Sequence, residues 1–132
     1  MRAAPSIEPA GPALEARRME KRFGEVRALD GLSFQVRPGE LFGLVGPDGA
    51  GKTTAIRALA GLLDLDAGEA LVLGQDPRTA GAAVREALGL MPQQYSLYRD
   101  LSVWENLKFF SRLYALSRAD FRERSRRLLA IT

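Results

Sequence analysis

The stretch Gly46-Pro47-Asp48-Gly49-Ala50-Gly51-Lys52-Thr53 decides the fold, because it lies between an apolar run, Leu41–Val45, and a segment with helical periodicity. It fits the pattern G-x-x-x-x-G-K-[ST], whose glycines permit positive φ angles and bring successive backbone N–H groups close to an anion. A helix that begins at the end of such a loop adds the positive end of its dipole. We therefore predict that this loop binds phosphate groups.

Each polar side chain of the loop has its own task in this prediction. Lys52 supplies a mobile positive charge to the β- and γ-phosphates, the Thr53 hydroxyl coordinates Mg²⁺, and the Thr54 hydroxyl binds a phosphate oxygen. Asp48 adds a carboxylate that a triphosphate would repel, so we expect it to point away from the phosphates. The remaining positions of the predicted nucleotide cradle are Gly46, Pro47, Gly49, Ala50 and Gly51.

Two antiparallel strands are predicted before the loop. The first is Leu14–Phe23, a turn follows at Gly24–Glu25, and Leu32–Val36 alternates apolar and polar residues. The run Leu41–Val45 is apolar without alternation, which is typical of a strand covered on both faces. We expect it to be the central strand of the sheet.

Helices and short strands are predicted to alternate after the loop. We expect a helix over 51–63, strands at 70–73 and 88–91, and a helix over 80–88. The apolar face of the first helix is predicted to consist of Ile56, Leu59, Ala60 and Leu63.

Two helix start signals occur near the C-terminus. Ser102-Val103-Trp104-Glu105 is a capping box, and Ser117-Arg118-Ala119-Asp120 is an acidic variant of it. The helical part of the chain therefore begins near residue 102. The apolar face of its first helix is predicted to consist of Val103, Leu107, Phe110 and Tyr114.

Composition narrows the classes of function. The chain has 132 residues and a net charge of +3, which is too small a surplus to indicate a nucleic-acid partner. It has no cysteine and no histidine, so disulfides, thiolate metal sites and Ser-His-Asp triads are excluded. No apolar stretch has the length of a membrane-spanning helix, and residues 1–13 are typical of a flexible leader.

The order of these segments resembles the ATP-binding-cassette (ABC) ATPases from about Leu14 to the end of the chain. Lys21-Arg22-Phe23-Gly24-Glu25-Val26 is similar to the family's entry loop, and Arg37-Pro38-Gly39-Glu40 to the turn before its Walker A strand. The resemblance implies that Phe23 stacks on adenine, for which an aromatic face suffices. From the residues alone, a half-buried strand aromatic is the alternative for Phe23.

A second segment is similar to the family's Q-loop and the start of its helical subdomain. It runs from Leu90 to Tyr98 and continues over Leu101–Leu107. The resemblance implies that Gln93 reaches Mg²⁺ and the attacking water, with Gln94 as the alternative, and that the loop passes the nucleotide state to helices that contact membrane subunits. Without the resemblance, two exposed glutamines in a turn are expected.

The resemblance therefore implies an α/β fold: a P-loop NTPase core with an antiparallel β flank and the start of an α-helical subdomain. Residues 14–132 would form part of a nucleotide-binding domain that binds ATP and Mg²⁺, most like the ATPase subunits of multidrug-type exporters. The implied partners are a membrane-spanning transporter subunit and a second nucleotide-binding domain in a head-to-tail dimer, without nucleic acid. The implied place is the cytoplasmic face of the cell membrane.

Three segments that the family needs for hydrolysis are missing from this sequence. No Asp is followed by Glu, no Gly is followed by Gly, and there is no switch histidine. We therefore expect a truncated chain that binds ATP without appreciable turnover. A non-hydrolysing, nucleotide-dependent interaction module is the alternative, and a nucleotide kinase is a weaker one. A GTPase is disfavoured because no N-K-x-D segment is present.

The C-terminal tail is basic. Residues 111–132 hold six arginines against two acids. Such a run is typical of a solvated helix face, and contact with a membrane subunit or anionic lipid is the alternative.

Overall fold

A computed structural model describes residues 11–80, 82–94 and 97–131, without the side chains of residues 82, 83 and 85. The chain divides after Leu90 into two compact units, which are described separately. Of the predicted leader, residues 1–10 lie outside the described part.

Among the described residues, the first unit contains three strands and two helices, and the second contains two helices. The elements of the first unit are β1 (Leu14–Phe23), β2 (Val26–Val36), α1 (Lys52–Leu59), β3 (Ala67–Val72) and α2 (Ala82–Ala87). The elements of the second unit are α3 (Val103–Leu113) and α4 (Arg118–Leu129).

The three strands form an antiparallel sheet in the order β2-β1-β3. Leu14 lies opposite Val36 on one side and opposite Val72 on the other, and Phe23 pairs with Val26 across the tight turn. The predicted bounds of β1 and the antiparallel pairing are confirmed. β2 begins six residues earlier than predicted, because pairing with the whole of β1 extends it to the turn.

Helix α1 packs on this sheet and forms the core with it. The buried residues of the cluster are Ala16, Met19, Leu29, Ala55, Ala58, Leu59 and Ala70. The predicted apolar face of α1 is therefore partly wrong: Leu59 is buried, but Ile56 is exposed and α1 ends before Leu63. The small residues Ala55 and Ala58 face the sheet instead, which lets the helix approach the strands closely.

The prediction of a central strand at Leu41–Val45 is wrong. These residues form no strand in the structure, and the side chains of Leu41 and Val45 are 101% and 90% exposed. A strand needs hydrogen-bonded neighbours, and no described segment pairs with this run. Among the described residues, this run contacts the sheet through side chains: the rings of Phe42 and Phe34 stack at 5.0 Å, and Leu44 packs against the core.

The predicted strand at 88–91 is also absent. Helix α2 ends at Ala87, residues 88–92 have no regular structure, and Leu90 and Met91 are exposed. The physical reason is the same, since no described strand lies beside these residues.

Both predicted caps of the second unit are confirmed. Ser102 and Glu105 form a complete capping box at α3, and the Ser117 hydroxyl accepts from the Asp120 N–H at 3.1 Å at α4. Only part of the predicted apolar face of α3 is shielded from solvent: Leu107 and Phe110 are half-buried, but Val103 and Tyr114 are exposed. The two helices contact each other through aromatic rings instead, those of Trp104 and Phe121 at 4.9 Å.

The side chain of Asn106, only 5% exposed, fastens the turn before α3. Its Oδ1 accepts from the Tyr98 N–H at 2.9 Å, and its Nδ2 donates to the carbonyl oxygens of Tyr98, Leu101 and Ser102 at 3.0 to 3.1 Å. One side-chain amide thus makes hydrogen bonds to four backbone groups, which stabilises the turn before α3.

Among the described residues, no helix has the length and apolar character needed to cross a membrane.

Candidate phosphate-binding site

The loop of residues 46–53 ends at the first residue of α1. Gly49 and Gly51 have φ angles of 81° and 84°, in the left-handed region that glycine adopts without strain. The Ala50 N–H donates to the Pro47 carbonyl at 3.2 Å, which closes a turn within the loop. The backbone thus curls back before the helix starts at Lys52, as a loop that surrounds an anion must.

The Lys52 side chain folds back over this loop. Its Nζ donates to the carbonyl oxygens of Gly46 and Pro47, both at 2.6 Å. An ammonium group prefers an anionic acceptor to a neutral carbonyl. The positive charge is therefore held over the loop by two neutral acceptors.

The start of α1 has no side-chain cap. Its N-cap is Gly51, so the N–H groups of the first turn receive no side-chain acceptor there. Thr53 is exposed and Thr54 is half-buried within that turn. Uncapped N–H groups, a positive helix end and two hydroxyls together suit an oxyanion ligand.

Gly51 also fixes the loop against the sheet. A Cβ atom at this position would overlap the carbonyl oxygen of Ala28 and lie 3.0 Å from Cδ2 of Leu29. The register of β1 and β2 passes from Lys21–Leu29 to Arg22–Arg27, which leaves Ala28 as the extra residue of a bulge. The bulge therefore turns this carbonyl toward the start of α1.

Phe23 lies at the end of the same hairpin. It is the last residue of β1, the residue is 49% exposed, and its partner Val26 is two residues from Ala28. At about 3.4 Å per residue, that separation is about 7 Å along the strand. The aromatic ring and the phosphate loop thus belong to one end of the first unit.

The other predicted loop residues are exposed. Asp48 lies in the turn at the tip of the loop, and no ion pair of its carboxylate is present among the described residues. A Cβ atom at Gly46 would be in ordinary contact with Ala50, 3.4 Å from its Cβ, so Gly46 is less constrained than Gly51.

The predicted glutamines belong to the second unit. Gln93 and Gln94 are both exposed in a bend. Tyr95 and Ser96, which complete the segment similar to the Q-loop, lie outside the described residues. The structure thus places Phe23 and the loop in one unit, and both glutamines in the other.

Sequence reasoning missed two charged residues beside Phe23. Lys21 Nζ lies 5.6 Å from the centre of the Phe23 ring and 2.9 Å from Oδ1 of Asp66. Asp66 Oδ2 accepts from the Arg22 N–H at 2.6 Å. The hydrogen bond from Lys21, followed by that from the Arg22 backbone, lowers the pKa of Asp66 below its ordinary value. Because 45 residues separate Lys21 from Asp66, no local pattern could have indicated the pair.

Comparison with known proteins gives a consistent result. A family model described as "ABC transporter" matches residues 29–131. The chain is 45% identical over 108 residues to the "Probable multidrug ABC transporter ATP-binding protein YbhF" of Escherichia coli (strain K12). It is 46% identical over 111 residues to the "Nod factor export ATP-binding protein I" of Paraburkholderia xenovorans (strain LB400), and 44% identical over 119 to the "Daunorubicin resistance ATP-binding protein DrrA2" of Streptomyces coeruleorubidus.

A solved structure shares the fold. It is described as "Structure of ATP binding subunit of ABC transporter", and it matches with a TM-score of 0.70 and 28% identity over 81% of this chain and 45% of its own. The three relatives are matched over 82%, 83% and 90% of this chain. The chain spans only 19%, 36% and 37% of their lengths.

Proposed function

Because the chain belongs to the ABC transporter ATP-binding family and has its α/β P-loop fold, we propose that residues 46–54 bind the triphosphate of ATP. The observation that carries this proposal is the position of Lys52, whose Nζ is held over the loop by two neutral carbonyl oxygens. Replacing these acceptors with phosphate oxygens converts two neutral-acceptor bonds into charge-assisted ones. The positive-φ glycines and the uncapped start of α1 support the same ligand.

The base of the nucleotide is proposed to stack on Phe23. The ring is half exposed at the end of the hairpin whose bulge contacts the loop. An aromatic face attracts a purine without any need for a matching hydrogen-bond pattern. The two contacts at one end of the first unit suit a ligand that carries both a base and a triphosphate.

Magnesium is proposed to accompany the nucleotide. The exposed Thr53 hydroxyl at the start of α1 is the candidate ligand in the first unit, and Gln93, or Gln94, is the candidate from the second. Hydroxyl and amide oxygens are ligands that Mg²⁺ accepts, and the ion neutralises charge on the phosphates when it is bound.

The activity of the whole protein is proposed from its relatives. Their names refer to multidrug transport, Nod factor export and daunorubicin resistance, which supports export of a small molecule driven by ATP. Residues 14–132 would then be part of a nucleotide-binding domain, with its helical subdomain from about residue 102. This domain would pair with a second copy and with a membrane subunit at the cytoplasmic face of the membrane.

Equilibrium titration of the 132-residue chain with Mg-ATP tests the ATP site. Lys52→Ala is the informative variant, and Lys108→Ala is its matched control because Lys108 is an exposed lysine of the second unit. Since a hydrogen bond to a charged group contributes about 1.5–3 kcal/mol, Lys52→Ala should weaken binding about 10- to 100-fold. Lys108→Ala should bind as the unaltered chain does.

Turnover of ATP is recorded in the same samples. We expect none, because the sequence lacks the Asp-Glu, Ser-Gly-Gly and histidine elements of the family. Equal affinity in the Lys52→Ala variant would contradict the proposed site. Turnover by the unaltered chain would contradict the view that those elements are indispensable.

A further inference from the structure

Three side chains at the turn end of the β1–β2 hairpin form a connected group. Asp66 comes from the segment just before β3, while Lys21 and Phe23 lie two residues apart at the end of β1. Residues two apart on a strand point to the same face of the sheet, which brings the Lys21 ammonium to 5.6 Å from the Phe23 ring centre. That distance is within the range of a cation–π contact.

Asp66 holds this end of β1 through three bonds. Its carboxylate accepts from Lys21 Nζ at 2.9 Å and from the Arg22 N–H at 2.6 Å, and its own N–H donates to the Glu20 carbonyl at 3.0 Å. The carboxylate therefore fixes both the backbone just before Phe23 and the charge beside its ring. A free lysine side chain at a strand end would otherwise sample many rotamers.

The exposed fractions of Lys21 and Phe23 agree with a Lys21 ammonium that is held in place beside the ring. The Lys21 side chain is only 14% exposed, although lysine is almost always a surface residue, while Phe23 as a whole residue is 49% exposed. Lysine thus covers part of the ring and leaves the rest open. Because the ammonium lies over the ring, 5.6 Å from its centre, the attraction between them restricts the orientation of the ring.

We propose that Asp66 and Lys21 are positioning residues for the base of the nucleotide, acting through Phe23. This inference rests on the proposed ATP site and deepens it, because it names the group that prepares the base platform. The charge pair orients the ring and does not itself contact the phosphates. The contribution of the pair to affinity should therefore depend on the presence of a base in the ligand.

Two probes separate base binding from phosphate binding. The chain is titrated with Mg-ATP and with Mg-tripolyphosphate, which has the same chain of phosphates and no base. Asp66→Asn keeps the size of the side chain and removes its charge, and Lys21→Met keeps the apolar stem and removes the ammonium. Asp30→Asn is the matched control, because Asp30 forms an exposed ion pair with Arg27 on the same hairpin.

We expect Asp66→Asn and Lys21→Met each to weaken Mg-ATP binding about 2- to 5-fold, which is the size of effect that corresponds to a cation–π contact of about 0.5–1 kcal/mol. Phe23→Ala should weaken it in the same direction. Both variants should bind Mg-tripolyphosphate as the unaltered chain does. Asp30→Asn should change neither affinity. Thermal melting by circular dichroism confirms that each variant is folded at the temperature of the titration.

Other outcomes overturn the inference in recognisable ways. If the variants bound both probes equally more weakly, the pair of Asp66 and Lys21 would support the fold and not the base platform. If the variants bound both probes as the unaltered chain does, the pair would have no role in binding. If the unaltered chain bound tripolyphosphate as tightly as ATP, the phosphate site would stand and the base platform would not. If it bound neither probe, the proposed function and this inference would fail together.

Discussion

Gly51 lies so close to the backbone carbonyl of Ala28 that a Cβ atom at position 51 would overlap the oxygen. The first residue before α1 and the bulge of β2 are therefore in direct backbone contact. Only glycine satisfies this contact and the φ angle of 84° at the same time.

Gly51→Ala should consequently destabilise the chain more than Gly49→Ala. Position 49 has a similar φ angle of 81° but open space around it, so alanine there costs only the strain of the left-handed conformation, about 1–2 kcal/mol. At position 51 displacement of the loop adds to that strain. Urea denaturation measures both differences, and Mg-ATP titration should find the weaker binding in Gly51→Ala. Equal stability of the two variants would contradict the contact.

Asn106→Ala should destabilise the second unit. The substitution removes the side-chain acceptor of the Tyr98 N–H and the side-chain donor of the Leu101 carbonyl, whereas the carbonyl oxygens of Tyr98 and Ser102 keep backbone donors. Each lost hydrogen bond contributes about 0.5–1.5 kcal/mol to stability. Fluorescence of Trp104, the one tryptophan of the sequence, reports on α3 during urea denaturation. Asn106→Asp is the companion variant: it keeps the acceptor for Tyr98 but loses the donors, so it too should unfold at lower urea than the unaltered chain.

Substitutions in the run Leu41–Val45 distinguish the observed structure from a buried strand. Leu41→Ser should change the free energy of unfolding by less than about 0.5 kcal/mol, because its side chain is fully exposed. Met19→Ala should cost about 2–5 kcal/mol, because Met19 is completely buried in the core. A large loss in Leu41→Ser would support the strand that the apolar pattern predicts.

The capping box of α3 should make this helix sensitive to acid. Hydrogen bonds from the Ser102 hydroxyl and backbone lower the pKa of Glu105 below its ordinary value of 4.5. A lowered pKa in the folded state means that the contribution to stability is present above pH 4.5 and is lost as the pH falls through the folded value. Helix content and Trp104 fluorescence should therefore change below pH 4.5. Glu105→Gln keeps a capping side chain without a charge, so this step should be missing there.

Most features that are formed by a few neighbouring residues were predicted from the sequence. The bounds of β1 came from the pattern that ends at Gly24, and both caps came from Ser-x-x-acid spacings, since each of these devices lies within a few residues. The helix start after the glycine-containing loop was predictable because the glycines, Lys52 and the helix are contiguous, and the binding of phosphate there stays a prediction. Each of these features is formed by residues that lie close together in the sequence, so distant contacts are not needed to predict it.

Features that depend on distant residues were not predictable. The apolar run Leu41–Val45 fits a buried strand, but whether it pairs depends on a neighbour that the pattern does not contain. The contact of Gly51 with Ala28 depends on a bulge 23 residues away, and the ion pair of Lys21 with Asp66 joins residues 45 apart. Such contacts follow from how the strands and α1 pack, which a single sequence does not specify.

The two carbonyl oxygens that hold the Lys52 ammonium would make the proposed binding of phosphate an exchange of acceptors. A ligand entering the loop competes with acceptors that belong to the protein itself. The affinity for the ligand would then reflect a difference in free energy, between the Lys52 ammonium bound to phosphate and the same ammonium bound to the two carbonyl oxygens. A substitution that weakens the internal acceptors would tighten the complex without touching the ligand.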